Sequence, residues 1–506
     1  MTSINTKPRI RPDIFLLIGI ILFFAATNVI WLAIDTAPPP WDDSIHMKLS
    51  TLYSRFAPQA GSIEAIKNIL SLSSYYPPFF HISAIPIIYI FGFNEDYLTY
   101  INFFYLVILV FSIYGIGKTL FNARVGIFSA LLTLLYPVVF ALSRRYMLDF
   151  ALVSMVCLVH YIALQYHEED KAILGFLLVI TMISAGLVKQ TAQVFFIPTI
   201  MLLFFRKWLR NKIFWVILLS VFLTLFLMEG RYFHKIIELF SYKGVFSAAK
   251  IIERVSGNFI WYMSEIGRSM VSNFLFLFFL IGFFSSLIFS RKKKALLILS
   301  SWIIGAFFLL SFIRWKDARY AVAVLPAFAL ITIGGVDALS WKAIKKFLVV
   351  IFLCLGLVQF FSLSFRHVPF FTKGQDFFYN RLPLKQDWKV KEIINYISNR
   401  FQNKTILIGM LPNCEFFNHD ELILYITLNK LPYSVWGLFF PEEVKKQLKD
   451  CDVAITKEPF SSAYYNKNES DVHERLINEM LNKEGFRNIK SFDLPDKSNA
   501  VIYEKY

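Results

Sequence analysis

"IFLLIGIILFFAATNVIWLAIDTAPPPWDD", residues 14–43, contains a membrane span and its exit in one stretch. Nothing from Ile14 to Ile34 is charged, and a helix over these residues rises roughly 30 Å, the thickness of a bilayer's hydrocarbon core. Pro38, Pro39 and Pro40 then prevent the helix from continuing, Trp41 suits the membrane–water interface, and Asp42 and Asp43 follow at once. Lys7, Arg9 and Arg11 precede the run, which is longer than a signal-peptide core and lacks a small-residue cleavage site. The stretch is therefore expected to be a retained first span with the N-terminus in the cytoplasm.

The rest of the 506-residue chain has the same character: 56% hydrophobic, 17% charged, with 55 phenylalanines. A large soluble enzyme is excluded by such a composition. The net charge of +16 is read as cytoplasmic anchoring and lipid-phosphate contact rather than nucleic-acid binding. Further apolar runs at 98–117, 125–143, 147–166, 172–188, 191–205, 213–229, 271–290, 295–313, 319–336 and 347–364 bring the expected total to about eleven spans. The proline-interrupted piece at 77–92 is expected to be re-entrant or interfacial.

Alternating the spans puts Lys118 with Arg124, residues 167–171, "RKWLRNK" (206–212), "RKKK" (291–294) and "SWKAIKK" (340–346) on the cytoplasmic side, as the positive-inside rule asks. Loops 35–97 and 230–270 then face outward. So does the tail, which divides the chain into a membrane domain (1–365) and an extracytoplasmic domain (366–506). Six cations fall at outward ends, where topology gives no reason for them: Arg144, Arg145, Lys189, Arg314, Lys316 and Arg319.

An α/β rhythm runs through the tail. Helical periodicity is expected at 389–401, 420–430 and 472–486, the last ending at Gly485, with strands at 404–409, 451–456 and 499–506. The tail has no glycine-rich phosphate loop, so it is read as a lid or packing module. Cys157 and Cys354 lie in apolar runs and are expected in the core. Spacing leaves open whether Cys414 and Cys451 pair.

Chemistry is expected where outward acids meet outward cations. Asp42 and Asp43 precede "SIHMKLSTLYSRF" (44–56), a candidate surface helix that either aspartate can cap, leaving the other to accept a proton from a hydroxyl. Tyr76 and His81 stand in an aromatic Pro-Pro segment suited to a sugar or lipid wall. Arg145 and Asp149, four apart, can pair with each other. Arg144, Arg145, Lys189, Lys316 and Arg319, with Tyr320, are candidates to hold a phosphate, since arginine grips it with two parallel hydrogen bonds and lysine supplies a compact charge.

The acidic pair in the first outward loop, Tyr76-Pro77-Pro78, the Arg145-x-Met-x-Asp149 turn and Lys316-Asp-x-Arg319-Tyr320-x5-Pro326 resemble, in that order, the bacterial relatives of dolichyl-phosphate-mannose protein mannosyltransferases. That superfamily has the GT-C fold and includes the lipid A aminoarabinose transferases; the likeness covers roughly residues 12–365. The resemblance implies inverting transfer of a sugar from a polyprenyl-phosphate carrier to a glycan, lipid or protein acceptor outside the cytoplasmic membrane. It implies Asp42 or Asp43 as base, and Lys316, Arg319 and Tyr320 as contacts to the carrier phosphate. Aminoarabinose transferases carry a charged residue before the prolines where this chain has Tyr75 and Tyr76, which argues against that donor. Some members use a divalent cation and others do not, so no metal or other cofactor is assigned.

Two rival readings are weaker. A transporter or flippase is expected to place charges near mid-membrane in repeated halves, and the chain has no internal repeat. An O-antigen polymerase or ligase fits less well with the acidic first loop and the large outward tail. A catalytically inactive assembly protein is a third class.

Overall fold

The computed structural model describes residues 12–56, 71–73, 75–204, 215, 219, 248–313, 316–371, 379–402 and 404–506. Outside them lie Lys7, Arg9 and Arg11, the basic run 206–212, all but Trp215 and Leu219 of the span expected at 213–229, residues 230–247 of the loop expected at 230–270, and Arg314. The chain forms two compact units: one built from 1–31, 59–87 and 99–382, the other from 32–58, 88–98 and 383–506.

The first unit is helical. Among the described residues, six helices are long and apolar enough to cross a membrane: Pro12–Ile34, Glu95–Leu120, Leu148–Glu169, Lys293–Leu310, Ala318–Ala338 and Lys342–Ser364. Shorter apolar helices cover Phe79–Phe91, Ala123–Leu134, Ala172–Val188, Ala192–Phe204 and Asn273–Phe289. Phe15, Leu16, Ile18 and Leu22 of the first helix are exposed, as expected where the surroundings are lipid rather than water.

Proline accounts for the departures from the expected spans. The run at 125–143 is two helices, Ala123–Leu134 and Pro137–Leu142, because Pro137 has no N–H to continue the first and starts the second at its opening position. The expected span at 319–336 opens as a 3-10 helix, Ala318–Val324, and becomes α-helical at Leu325 with Pro326 in its first turn. The segment at 77–92 folds as two short helices, Phe79–Ser83 and Ile85–Phe91. Helices Asn273–Phe289 and Leu325–Ala338 approach through Gly282 and Gly335, where any side-chain carbon on Gly335 would overlap the Gly282 carbonyl. Cys157 is buried as expected, whereas Cys354 is exposed on an apolar helix.

The second unit carries a five-stranded sheet. Strands β1 (Ile406–Met410), β2 (Tyr433–Gly437), β3 (Val453–Glu458), β4 (Phe486–Asp493) and β5 (Asn499–Lys505) are ordered β2-β1-β3-β5-β4. β1 pairs in parallel with β2 and β3, while β5 runs antiparallel to both β3 and β4. Alternation along the strands sends Ile406, Ile408, Val453 and Ile455 into one core with helices Val390–Arg400 and His419–Leu428. Ala454 and Leu407 face the other, with helices Pro441–Gln447 and Lys467–Lys483. Cys451 belongs to the second core and Cys414 packs against the first, and both are free thiols.

Helix Trp41–Phe56 also belongs to this unit. Its first turn contains both Asp42 and Asp43, and the Asp43 N–H donates to the Pro40 carbonyl. Neither aspartate is therefore the cap, since the prolines turn the chain one residue earlier than the spacing suggests. The helix buries Asp43, Ser44, His46 and Ser50 together with Met47 and Leu49. It is held to helix His419–Leu428 by Arg55, which donates to the Thr427 carbonyl at 2.6 Å. An apolar face laid on a membrane surface is not what these side chains form.

Candidate functional site

Helices Leu148–Glu169 and Ala172–Val188 are antiparallel neighbours joined by Asp170 and Lys171, so the start of the first lies near the end of the second. Asp149 occupies the first turn of one and Lys189 the C-terminal cap of the other, each on the side its helix dipole favours. Lys189 Nζ meets Asp149 Oδ1 at 2.6 Å, with the carboxylate side chain 2% exposed and the lysine 13%. The expected Arg145–Asp149 pair does not form; the carboxylate takes Lys189 instead.

Around this pair gather the residues of the late segment. Lys189 Nζ lies over the Tyr320 ring, 5.1 Å from its centre. Asp317 caps the 3-10 helix by accepting from the Arg319 N–H at 2.9 Å, and its other oxygen meets Arg319 Nε at 2.9 Å. Tyr379, which nothing in the sequence marks, donates its hydroxyl to the same carboxylate at 2.7 and 2.9 Å. Its ring lies under both Arg145 (6.0 Å) and Arg319 (5.8 Å). Burial pushes the Tyr379 phenol well above its ordinary value, against the pull of Arg319, so it remains a donor. Tyr75 joins the cluster through its carbonyl, which accepts from Gln190 at 2.7 Å, and its ring meets Tyr76 edge-on at 4.6 Å. Lys316 is exposed and lies over the Trp261 ring at 5.5 Å.

Two other candidates of this unit stand apart. Arg144 is buried and ringed by Trp31, Phe140, Phe360 and Phe365 at 5.1 to 5.9 Å, while its Nε donates to Asn28 Oδ1 at 2.9 Å. The ring faces attract the guanidinium, and its Nη2 has no hydrogen-bond partner among the described residues. His81 is wholly buried, with Nδ1 3.2 Å from the Pro77 carbonyl of its own turn.

In the second unit, Asp43 is 3% exposed and Asp42 is half-buried. Asp42 acts on Asp420, whose carboxyl burial pushes up to about 7, opposed by Lys48 and assisted by Asp42. His419 Nε2 lies 3.2 Å from Asp420 Oδ1, and burial, then Lys48, lowers that imidazole to about 4. Among the described residues, no three His, Cys, Asp or Glu stand together as a metal ligand set.

Residues 76–228 match the family model described as dolichyl-phosphate-mannose-protein mannosyltransferase. The fold resembles that of ArnT from Cupriavidus metallidurans bound to undecaprenyl phosphate, with a TM-score of 0.56, 13% identity and 97% of each chain covered. This is the GT-C fold. The apo state of the same ArnT gives a TM-score of 0.55 at 14% identity, again over 97% of each chain. The archaeal oligosaccharyltransferase AglB from Archaeoglobus fulgidus, in complex with an inhibitory peptide and a dolichol-phosphate, gives 0.50 at 10% identity, covering 97% of this chain and 74% of that one. No curated protein matches at the level of sequence. A GT-C fold with these apolar helices makes the chain a multi-pass membrane protein.

Proposed function

We propose that the protein is a glycosyltransferase that moves a sugar from a polyprenyl-phosphate carrier to an acceptor hydroxyl. The reaction is placed at the outer face of the cytoplasmic membrane, with the N-terminus inside and the C-terminal α/β domain (366–506) outside. The observation that carries this reading is the Asp149–Lys189 pair set beside Tyr320 and the Asp317–Arg319–Tyr379 network: cations held by carboxylates and ring faces, on a fold that ArnT shares.

Lys189, Arg319, Arg145 and Lys316 hold the carrier phosphate and stabilise its charge as the glycosidic bond breaks. Asp149 and Asp317 fix two of these cations in place, so that little reorganisation accompanies the reaction. Tyr320 and Tyr76 provide ring faces beside the sugar. The acceptor hydroxyl attacks the anomeric carbon from the face opposite the leaving phosphate, which inverts the configuration. Asp43 takes the hydroxyl proton and Asp42 orients the acceptor. This reading assigns no carrier contact to Arg144, which four rings surround, or to His81, which is wholly buried. A metal is not assigned.

The test supplies purified protein with labelled polyprenyl-phosphate sugars and a membrane extract, comparing wild type with Asp42→Asn and Asp43→Asn. Loss of transfer in at least one variant is expected. Undiminished transfer in both removes the first-loop acids as base.

A further inference from the structure

The second unit contains a polar cavity that the proposed transfer leaves unused. It measures about 80 Å³ and its wall includes Glu95, Asp387, Trp388, Lys391, Glu421 and Tyr425. A water needs only about 10–15 Å³ by this measure, so the space takes several waters or one edge of a monosaccharide.

Glu421 is the group that demands explanation. Asn418 caps helix His419–Leu428 and fixes Glu421 in its first turn, where the residue is 0% exposed. Neither carboxyl oxygen has a hydrogen-bond partner among the described residues. A buried polar group left unpaired is destabilising, and more so if it is charged. Burial, with Glu95 nearby, holds this carboxyl well above the usual range, against the pull of Lys391. It is thus able to donate one hydrogen bond as well as accept others. Glu95 meets Lys391 Nζ at 3.2 Å and accepts from the Tyr425 hydroxyl, and Lys391 lies over the Tyr425 ring at 5.2 Å.

The wall therefore mixes acceptors, donors and aromatic surface. A phosphate would meet Glu95, Glu421 and Asp387, and an ammonium would meet Lys391 and Lys389. No three carboxylates or imidazoles among the described residues are arranged for a metal ion. A sugar ring carries no charge, donates and accepts through each hydroxyl, and packs its C–H face on an aromatic ring.

We propose that this cavity is a saccharide subsite that takes one hydroxyl-bearing edge of a neutral sugar in the acceptor, with Glu421 bonding the hydroxyls and Lys391 closing the open side. That the sugar belongs to an acceptor rests on the transferase reading; that the cavity binds a neutral sugar does not.

The experiment uses the full-length protein in lipid nanodiscs, with methyl glycosides of neutral hexoses as probes and glucosamine as a cationic counterpart, read by calorimetry and saturation-transfer NMR. Saturable millimolar binding of at least one neutral glycoside is expected, weakened tenfold or more by Glu421→Ala. The side chain of Lys391 is 67% exposed, so Lys391→Ala keeps the fold and is expected to weaken binding several-fold. No saturable binding by wild type, equal binding by both variants, or tighter binding of glucosamine overturns the subsite. Transfer measured on the same preparations separates the two proposals. Transfer without glycoside binding removes the subsite and leaves the transferase, while binding without transfer does the reverse.

Discussion

Lys189 and Asp149, separated by forty positions in sequence, meet at 2.6 Å where two antiparallel helices bring their ends together. With the carboxylate almost wholly buried, the lysine is the partner that makes its ionised form tolerable. Breaking a buried pair costs about 3–5 kcal/mol because the remaining charge is stranded. Lys189→Ala is therefore expected to lower thermal stability by several degrees, measured by unfolding in detergent, as well as transfer. Asp149→Asn leaves a partly exposed lysine and is expected to cost less. A double-mutant cycle checks the relationship: the two single losses should sum to clearly more than the loss in the double variant.

Arg144 predicts the opposite division between stability and activity. Four rings surround its guanidinium, and it hydrogen-bonds Asn28, so its removal opens a cavity between elements far apart in sequence. Arg144→Ala is expected to destabilise by about 2 kcal/mol or more. The remaining folded protein should keep its Michaelis constant for the carrier within about twofold of wild type. A tenfold rise in that constant at unchanged stability would return Arg144 to the phosphate site.

How much of this was legible depends on which residues acted locally. Apolar length revealed the helices, and short continuous apolar runs revealed β1, β3 and β5. β2 and β4 escaped notice because their burial alternates with polar side chains such as Ser434, Arg487 and Lys490. The Pro137 break was readable, yet the apolar run on both sides hid it. Asp149, Lys189, Arg319 and Tyr320 each stand out in the sequence as candidates, and the fold brings these four side chains close together, whereas Arg144 and Lys316 of the same set lie against other rings. The partner of Asp149 was not readable, because Arg145 and Lys189 are equally good cations and only helix packing chooses between them. Tyr379 had no signal at all: it stands in a polar tail, and its tie to Asp317 spans 62 positions.

That tie yields a prediction about binding rather than chemistry. Tyr379→Phe removes the hydroxyl from Asp317 while keeping the ring beneath Arg145 and Arg319. A hydrogen bond to a charged group contributes about 1.5–3 kcal/mol, part of which is lost as misplacement of Arg319. Steady-state transfer assays are expected to show the Michaelis constant for the carrier raised about tenfold with the turnover number changed far less. A fall in turnover alone would mean that Tyr379 acts on the reacting atoms.

The second unit should respond to pH through Asp420. Burial pushes its carboxyl from 3.8 up to about 7, against the pull of Lys48 and with the help of Asp42. A carboxyl whose folded value is raised keeps its proton longer in the folded chain than in the unfolded one. Between about pH 4 and pH 7 the folded state thus binds more protons, and stability falls as pH rises through that window, by at most about 1.4 kcal/mol per unit. His419, lowered to about 4, holds its proton less well when folded, so it contributes a stability gain with rising pH between about 4 and its ordinary 6.5, which partly masks the trend. Asp420→Asn removes the first contribution and leaves the second. Unfolding midpoints measured from pH 4 to pH 8 should therefore rise more steeply, or fall less, in the variant than in wild type, and parallel curves would show that Asp420 is ionised throughout.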